Sequence, residues 1–253
     1  MTDVKAVSDF IDSIAPYGTK CEWDNCGILE GDAEGEVKKI GFALDLTEET
    51  LTEAEKNGVD LIITHHPIIF HAQKNFLKGN LVYALARKGI NAISAHTCFD
   101  CAKGGVNDAL CEILGLKNVE LVESGECVVP MARIGEIDEC SPSDFAKRVS
   151  SKLNTTVRFV NAGKSIKRVA VCGGAGMSFL DDVISCKADA YVTGDISHHE
   201  MLEAKEKGIS VAAAGHFETE YPAMEYLRKR VANAFSDVET LLLKQSNPVE
   251  FIG

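Results

Sequence analysis

The chain is poor in basic residues. Lysine and arginine total 26 against 38 aspartates and glutamates, a formal net charge of -12. An acidic chain repels phosphate backbones, which argues against nucleic-acid binding through a basic face. No run approaches the roughly 20 apolar residues that cross a bilayer, so no membrane span is expected. Met1 to Ile14 lacks a basic stretch followed by an apolar one. The spacing of Val4, Val7, Phe10, Ile11 and Ile14 instead predicts an amphipathic helix, not a secretory signal. Nine cysteines, an odd number scattered through strand-like and helix-like segments, fit reduced thiols in a cytoplasmic protein better than a disulfide framework. Cys98-x-x-Cys101 has no second pair, as a zinc ribbon would need. There is no P-loop and no Gly-x-Ser-x-Gly nucleophile elbow.

What the chain has is a 45% hydrophobic fraction, enough for a real core, and an alternation of short apolar strands with amphipathic helices. Strands are expected at Lys39–Leu44, Asp60–Thr64 and Ile90–Ala95. Helices are expected over Thr47–Asn57, Leu81–Lys88 and Val106–Leu114, with Thr47 as an N-cap and Gly58 as a C-cap. Near-continuous apolar strands separated by helices predict a mostly parallel sheet covered on both faces, an α/β fold. The second half repeats the order. Lys38-Lys39-Ile40 aligns with Lys167-Arg168-Val169, and Asp60-Leu61-Ile62-Ile63-Thr64 with Asp189-Ala190-Tyr191-Val192-Thr193. Two similar α/β lobes are therefore expected, residues 1–125 and 126–253, with the boundary near Glu123 to Glu126. The second lobe opens on a strand at Val128–Ile137 and a helix starting at Ser141-Pro142, and it closes on a helix at Pro222–Phe235.

Histidine is also scarce, at seven residues, yet six of the seven sit in suggestive places. His65 and His66 end a strand before Pro67. His96 and Asp100, Asp195 with His198 and His199, and His216 with Glu220 follow other strand ends. Ligands of parallel α/β sheets bind beyond the carboxyl ends of the strands. A lone histidine there is ordinary. Several segments that each mix imidazole with carboxylate point to metal ligation, and an adjacent His-His pair feeds two ions more naturally than one. His216 and Glu220 are expected on a loop, because Pro222 favours a first helical turn. Gly173-Gly174-Ala175-Gly176 follows a strand and precedes a helix, which suits either an anion cradle or a plain tight turn. His71 has no partner in its segment and reads as a surface residue.

Five motifs in order, Glu22-Trp23-Asp24-Asn25-Cys26-Gly27-Ile28, Thr64-His65-His66-Pro67, His96-Thr97-Cys98-Phe99-Asp100, Thr193-Gly194-Asp195 with His198-His199, and Gly215-His216-Phe217-Glu218-Thr219-Glu220, resemble one family. It is the GTP cyclohydrolase I type 2-like dinuclear-metal family, also called YbgI-like or Nif-three-like. The resemblance implies two similar α/β lobes with a metal pair between them, and a homohexamer built as a trimer of dimers. It implies His65 and His216 on one divalent ion, His66 and Asp100 on the other, and Glu220 bridging. His96 and His199 are then implied beside the site, either as proton carriers or as groups that support the ligands without binding the ions. Zinc, iron, manganese, nickel and cobalt all suit such mixed ligands. The implied activity is hydrolysis, with metal-activated water attacking a nucleotide or related heterocycle. A metal-binding scaffold or regulatory protein without turnover is the alternative. Cys26 stands where the family usually has an apolar residue such as Val, and is expected to behave as a small hydrophobe.

Overall fold

The computed structural model describes residues 1–123 and 129–250. The chain divides into two compact units, Met1–Lys103 with Met224–Pro248, and Gly104–Ala223 with Val249 and Glu250. The expected boundary falls outside the described residues from Ser124 onward, as does Val128, the expected first residue of a strand.

The first unit opens with α1 (Val4–Ile14), whose N-cap Asp3 accepts from the Ala6 amide and whose Val4, Val7 and Ile11 are buried. Then come β1 (Gly27–Glu30), β2 (Lys39–Ala43), α2 (Glu48–Asn57), β3 (Leu61–Thr64), α3 (Leu81–Lys88), β4 (Asn91–Ser94) and α4 (Thr97–Cys101). Thr47 caps α2 in a reciprocal capping box with Thr50, and Gly58 closes it in the left-handed region, as the sequence predicts. Residues of β3 and β4 are buried throughout, because helices cover both faces. Ile62, Leu51, Leu85 and Leu243 share one core cluster. Burying each such side chain contributes about 1.5–3 kcal/mol.

The second unit contains α5 (Val106–Leu114), β5 (Lys117–Leu121), β6 (Arg133–Cys140), α6 (Pro142–Leu153), β7 (Arg158–Val160), β8 (Ile166–Cys172), α7 (Leu180–Ser185), β9 (Ala190–Thr193), α8 (His198–Glu206), β10 (Ser210–Ala213) and the start of α9 (His216–Ala234). Strand β11 (Glu239–Leu242) returns to the first unit and pairs parallel with β2. The first sheet runs β1-β4-β3-β2-β11 and the second β5-β6-β8-β9-β10-β7. Both have a parallel centre, β4-β3-β2-β11 and β8-β9-β10. Antiparallel strands flank it, one in the first sheet and three in the second.

The internal repeat is real at the level of single atoms. Asp60 Oδ2 accepts from the amides of Lys38 and Lys39 at 2.8 and 2.9 Å. Its aligned counterpart, Asp189 Oδ2, accepts from Lys167 and Arg168 at 3.0 and 2.8 Å. Each aspartate ties the start of one central strand to the start of the next. The parallel registers match as well, Ala43↔Thr64 in one sheet and Cys172↔Thr193 in the other.

The last helix differs from expectation. It begins at His216, not Pro222, and holds Pro222 inside. Pro222 cannot donate to the Glu218 carbonyl four residues back, a loss of about 3 kcal/mol. Burial of Met224, Leu227 and Val231, at helical spacing, outweighs it. Among the described residues, no helix is long and apolar enough to cross a membrane.

Candidate metal centre

In the first unit the strand ladder runs two residues past β3. The His65 amide donates to Ala43 O and the His66 amide to Leu44 O. Thr64 Oγ1 then donates to the His66 carbonyl at 2.8 Å. On a regular strand the two imidazoles would point to opposite faces. Here the strand is ending, and their ring centroids lie 5.1 Å apart. His96 enters from the end of β4, 5.1 Å from the His65 ring and 5.4 Å from the His66 ring. One ring nitrogen from each of His65, His66 and His96 lies within 4.8 Å of the other two.

Each ring is held by its Nδ1. His65 Nδ1 donates to the Ala95 carbonyl at 2.9 Å, His66 Nδ1 to Asp45 Oδ1 at 2.6 Å, and His96 Nδ1 to Asp24 Oδ1 at 2.9 Å. These partners place the proton on Nδ1 and leave Nε2 as the nitrogen that could coordinate a metal ion. Asp100, four residues beyond His96 on α4, places Oδ1 3.5 Å from His65 Nε2.

The orienting carboxylates are themselves fixed. Gln245 accepts from the amides of Leu44 and Asp45 and donates to Asp45 Oδ2. Asp24 Oδ2 accepts from the Thr97 amide, the Thr97 hydroxyl and Cys26 Sγ. Burial works against the Asp24 charge, but hydrogen bonds from His96, Thr97 and Cys26, with the charge of His96, hold its carboxyl well below the usual range. Cys26 is thus more than a small hydrophobe. It donates to Asp24 and accepts from the His96 amide at 3.4 Å.

In the second unit, His216 and Glu220 sit one turn apart at the start of α9, with Nε2 3.1 Å from Glu220 Oε2. His216 Nδ1 donates to Asp195 Oδ2 at 2.7 Å. Burial pushes the His216 imidazolium down, but Glu220 and Asp195 outweigh it and raise the pKa to about 9. The Gly173–Gly176 loop makes room for this pair. Gly174 adopts φ +59, and a Cβ there would lie 2.1 Å from Glu220 Oε1. Three of its four amides are engaged: Gly173 N with Asn107 Oδ1, Gly174 N with Thr219 Oγ1, and Gly176 N with Thr193 Oγ1. The loop is a close-packing turn.

Both units therefore mix imidazole with carboxylate, and four of the histidines have Nδ1 anchored on oxygen. That donor chemistry fits a divalent transition-metal ion.

A model of the family Duf34/NIF3 (NGG1p interacting factor 3) matches residues 2–248. The chain belongs to this family. A Clostridium perfringens member called GTP cyclohydrolase 1 type 2 homolog is 34% identical over 97% of this chain and 98% of its own. Among solved structures, Staphylococcus aureus protein SA1388 matches with a TM-score of 0.92 at 28% identity, covering 99% of both chains. Reduced HcgD from Methanocaldococcus jannaschii matches with a TM-score of 0.84 at 30% identity, covering 96% of this chain and 98% of that one.

In this Duf34/NIF3 chain, His199 belongs to the second unit. It is exposed on the first turn of α8, its ring edge-on to His198 at 5.8 Å. His71 is exposed and rests against Phe70. Cys98 and Cys101 are buried thiols, and the neighbouring Cys26 and burial push the Cys98 thiol up, away from redox reactivity. Reading strand ends for histidine alone misses Asp45 and Gln245. Asp45 closely follows β2, so the same strand-end rule finds it once carboxylates are counted.

Proposed function

We propose that this chain is a dinuclear metal-dependent hydrolase, cyclohydrolase-like, acting on a nucleotide or related heterocycle. The observation that carries the reading is the common anchoring of the imidazoles by Nδ1 on oxygen, beside a carboxylate in each unit. The proposed ligands of two ions are His65, His66, Asp100, His216 and Glu220. Bound divalent ions supply Lewis acidity and lower the pKa of a water. The chain's own residues do the rest. Asp45 and Asp195 orient the His66 and His216 ligands. His96, aimed by Asp24, carries a proton to the leaving nitrogen or oxygen, with His199 as a second carrier. The name borne by the Clostridium perfringens relative, which covers nearly the whole chain, supports the heterocycle as substrate class. We further propose a cytoplasmic homohexamer, a trimer of dimers.

The test is metal content followed by turnover. Protein purified without chelator or polyhistidine tag should carry about two ions per chain by elemental analysis, and Glu220→Gln should lose most of them. Metal-loaded protein incubated with GTP, other nucleotides and cyclic amides should open a ring in wild type and not in Glu220→Gln. Metal without turnover across the panel would favour a binding or regulatory protein. No metal in wild type would sink the reading altogether.

A further inference from the structure

The chain has a single tryptophan, and it is spent on the surface. Trp23 is 60% exposed and Phe70 43% exposed. Isolated apolar residues are common on surfaces, but a cluster of large aromatics at a polar centre marks a binding site. These two lie together and on the histidines. The Trp23 and Phe70 rings are 5.7 Å apart with planes tilted by 51°. Trp23 meets the His96 ring edge-on at 5.9 Å, and Phe70 does so at 6.3 Å.

Their placement is built in. Asn25 Nδ2 donates to the Ile69 carbonyl at 2.8 Å, which ties the loop carrying Trp23 to the loop carrying Phe70. Asp24, between Trp23 and Asn25, fixes His96. One short segment therefore aims the imidazole and sets the aromatic beside it. His71 backs Phe70, ring centroids 4.7 Å apart. The core does not require this arrangement, because neither ring is buried. Aromatic side chains hold planar rings by stacking, with little dependence on the ring's identity.

We propose that Trp23 and Phe70 form the subsite that stacks a planar heteroaromatic ring of the substrate against the His96 side of the centre. This rests on reading the histidine group as a metal centre, and it names the part of the molecule that selects for a ring.

Trp23 provides its own probe. Metal-loaded wild type is titrated with guanosine monophosphate and with ribose 5-phosphate, which has the sugar phosphate and no ring, while tryptophan emission is followed. The same ligands are titrated into Trp23→Ala, Trp23→Phe and Phe70→Ala by calorimetry, and metal content is measured for every protein. Saturable quenching by the nucleotide and none by the sugar phosphate is expected. Trp23→Ala and Phe70→Ala should bind the nucleotide about 10- to 100-fold more weakly, Trp23→Phe should recover most of the affinity, and metal content should stay at the wild-type level. Equal binding of both ligands, or variants that bind as wild type does, would overturn the subsite while leaving the metal reading intact. A wild type without metal that still stacks the nucleotide would overturn the metal reading alone. Dissociation of an assembly in Trp23→Ala, seen by sedimentation without change in nucleotide affinity, would reassign the patch to a contact between copies and overturn the subsite.

Discussion

Gly174→Ala isolates the demand that the Glu220 carboxylate places on the backbone. Two costs arise. The first is conformational: an alanine at φ +59 costs about 1–2 kcal/mol. The second is steric. The new Cβ would lie 2.1 Å from Glu220 Oε1, 3.0 Å from its Cδ and 3.1 Å from His216 Nε2. Ordinary contact starts near 3.4 Å, so the carboxylate must retreat by about 1.3 Å. Metal–ligand distances tolerate only about 0.2 Å. The expected result is a metal affinity at least tenfold lower, with melting temperature lowered by the conformational cost. Gly58→Ala is the control. Gly58 has φ +65 and nothing within 4 Å of its would-be Cβ, so it carries the first cost without the second. Calorimetric metal titration and thermal melting of both variants separate the two. Wild-type metal affinity in Gly174→Ala, or an equal metal loss in Gly58→Ala, would refute the steric reasoning.

Further outcomes follow from the hydrogen bonds of Asp24 and His216. Asp24→Asn should lower turnover about 10- to 100-fold, the usual cost of losing a partner that orients a histidine, with metal content kept. Acid denaturation should show the same residue. A carboxylate whose folded pKa is depressed contributes stability that is present above the unfolded value of about 3.9 and lost as pH falls below it, so the variant should lose less stability than wild type on acidification. For His216 the sign reverses. Its pKa is raised to about 9, so its contribution to metal-free stability is fully present below about 6.5 and is lost as pH rises through 9. At pH 7.5 the metal-free ring carries a proton that a cation must displace. Metal titrations in buffers of different ionisation enthalpy should therefore report proton release, fading as pH passes 9. Release unchanged in His216→Ala would contradict the assignment.

The strand–helix order, the parallel centres and the repeat were legible because each rests on local pattern. Continuous apolar runs mark strands covered on both faces, and Thr47 and Gly58 mark helix ends. Of the flanking antiparallel strands, β6 was legible in part, since the strand expected at Val128–Ile137 overlaps Arg133–Cys140, but β5 was not. The five residues of β5 are exposed, so no apolar run announces it. The start of α9 was misread because Pro222 carries a local penalty that only tertiary burial offsets. In the site, the histidines stood out by scarcity. Their orienting partners did not, because an aspartate such as Asp45 is common in sequence and gains meaning only from a ring placed 2.6 Å away.

The repeat bears on His96 in a way that a single lobe would not. Counting from Gly89 and Gly208, the residues that close the preceding helices, His96 and Asp100 stand where His216 and Glu220 stand, offset by one position. Both pairs span four residues, both open a helix, and both histidines anchor Nδ1 on an aspartate. Equivalent position argues for equivalent ligation, and the nearness of His96 to His65 and His66 adds to that. Local surroundings argue the other way. Glu220 faces the His216 nitrogen at 3.1 Å, whereas Asp100 is aimed at His65, and the His96 ring is flanked by Trp23 and Phe70. A ring facing an aromatic wall is placed to meet a substrate. His96→Ala should therefore keep the wild-type metal content, lose turnover by about 100- to 10,000-fold, and lose one limb of the pH–rate profile. Elemental analysis showing one ion lost per chain would instead place His96 among the ligands.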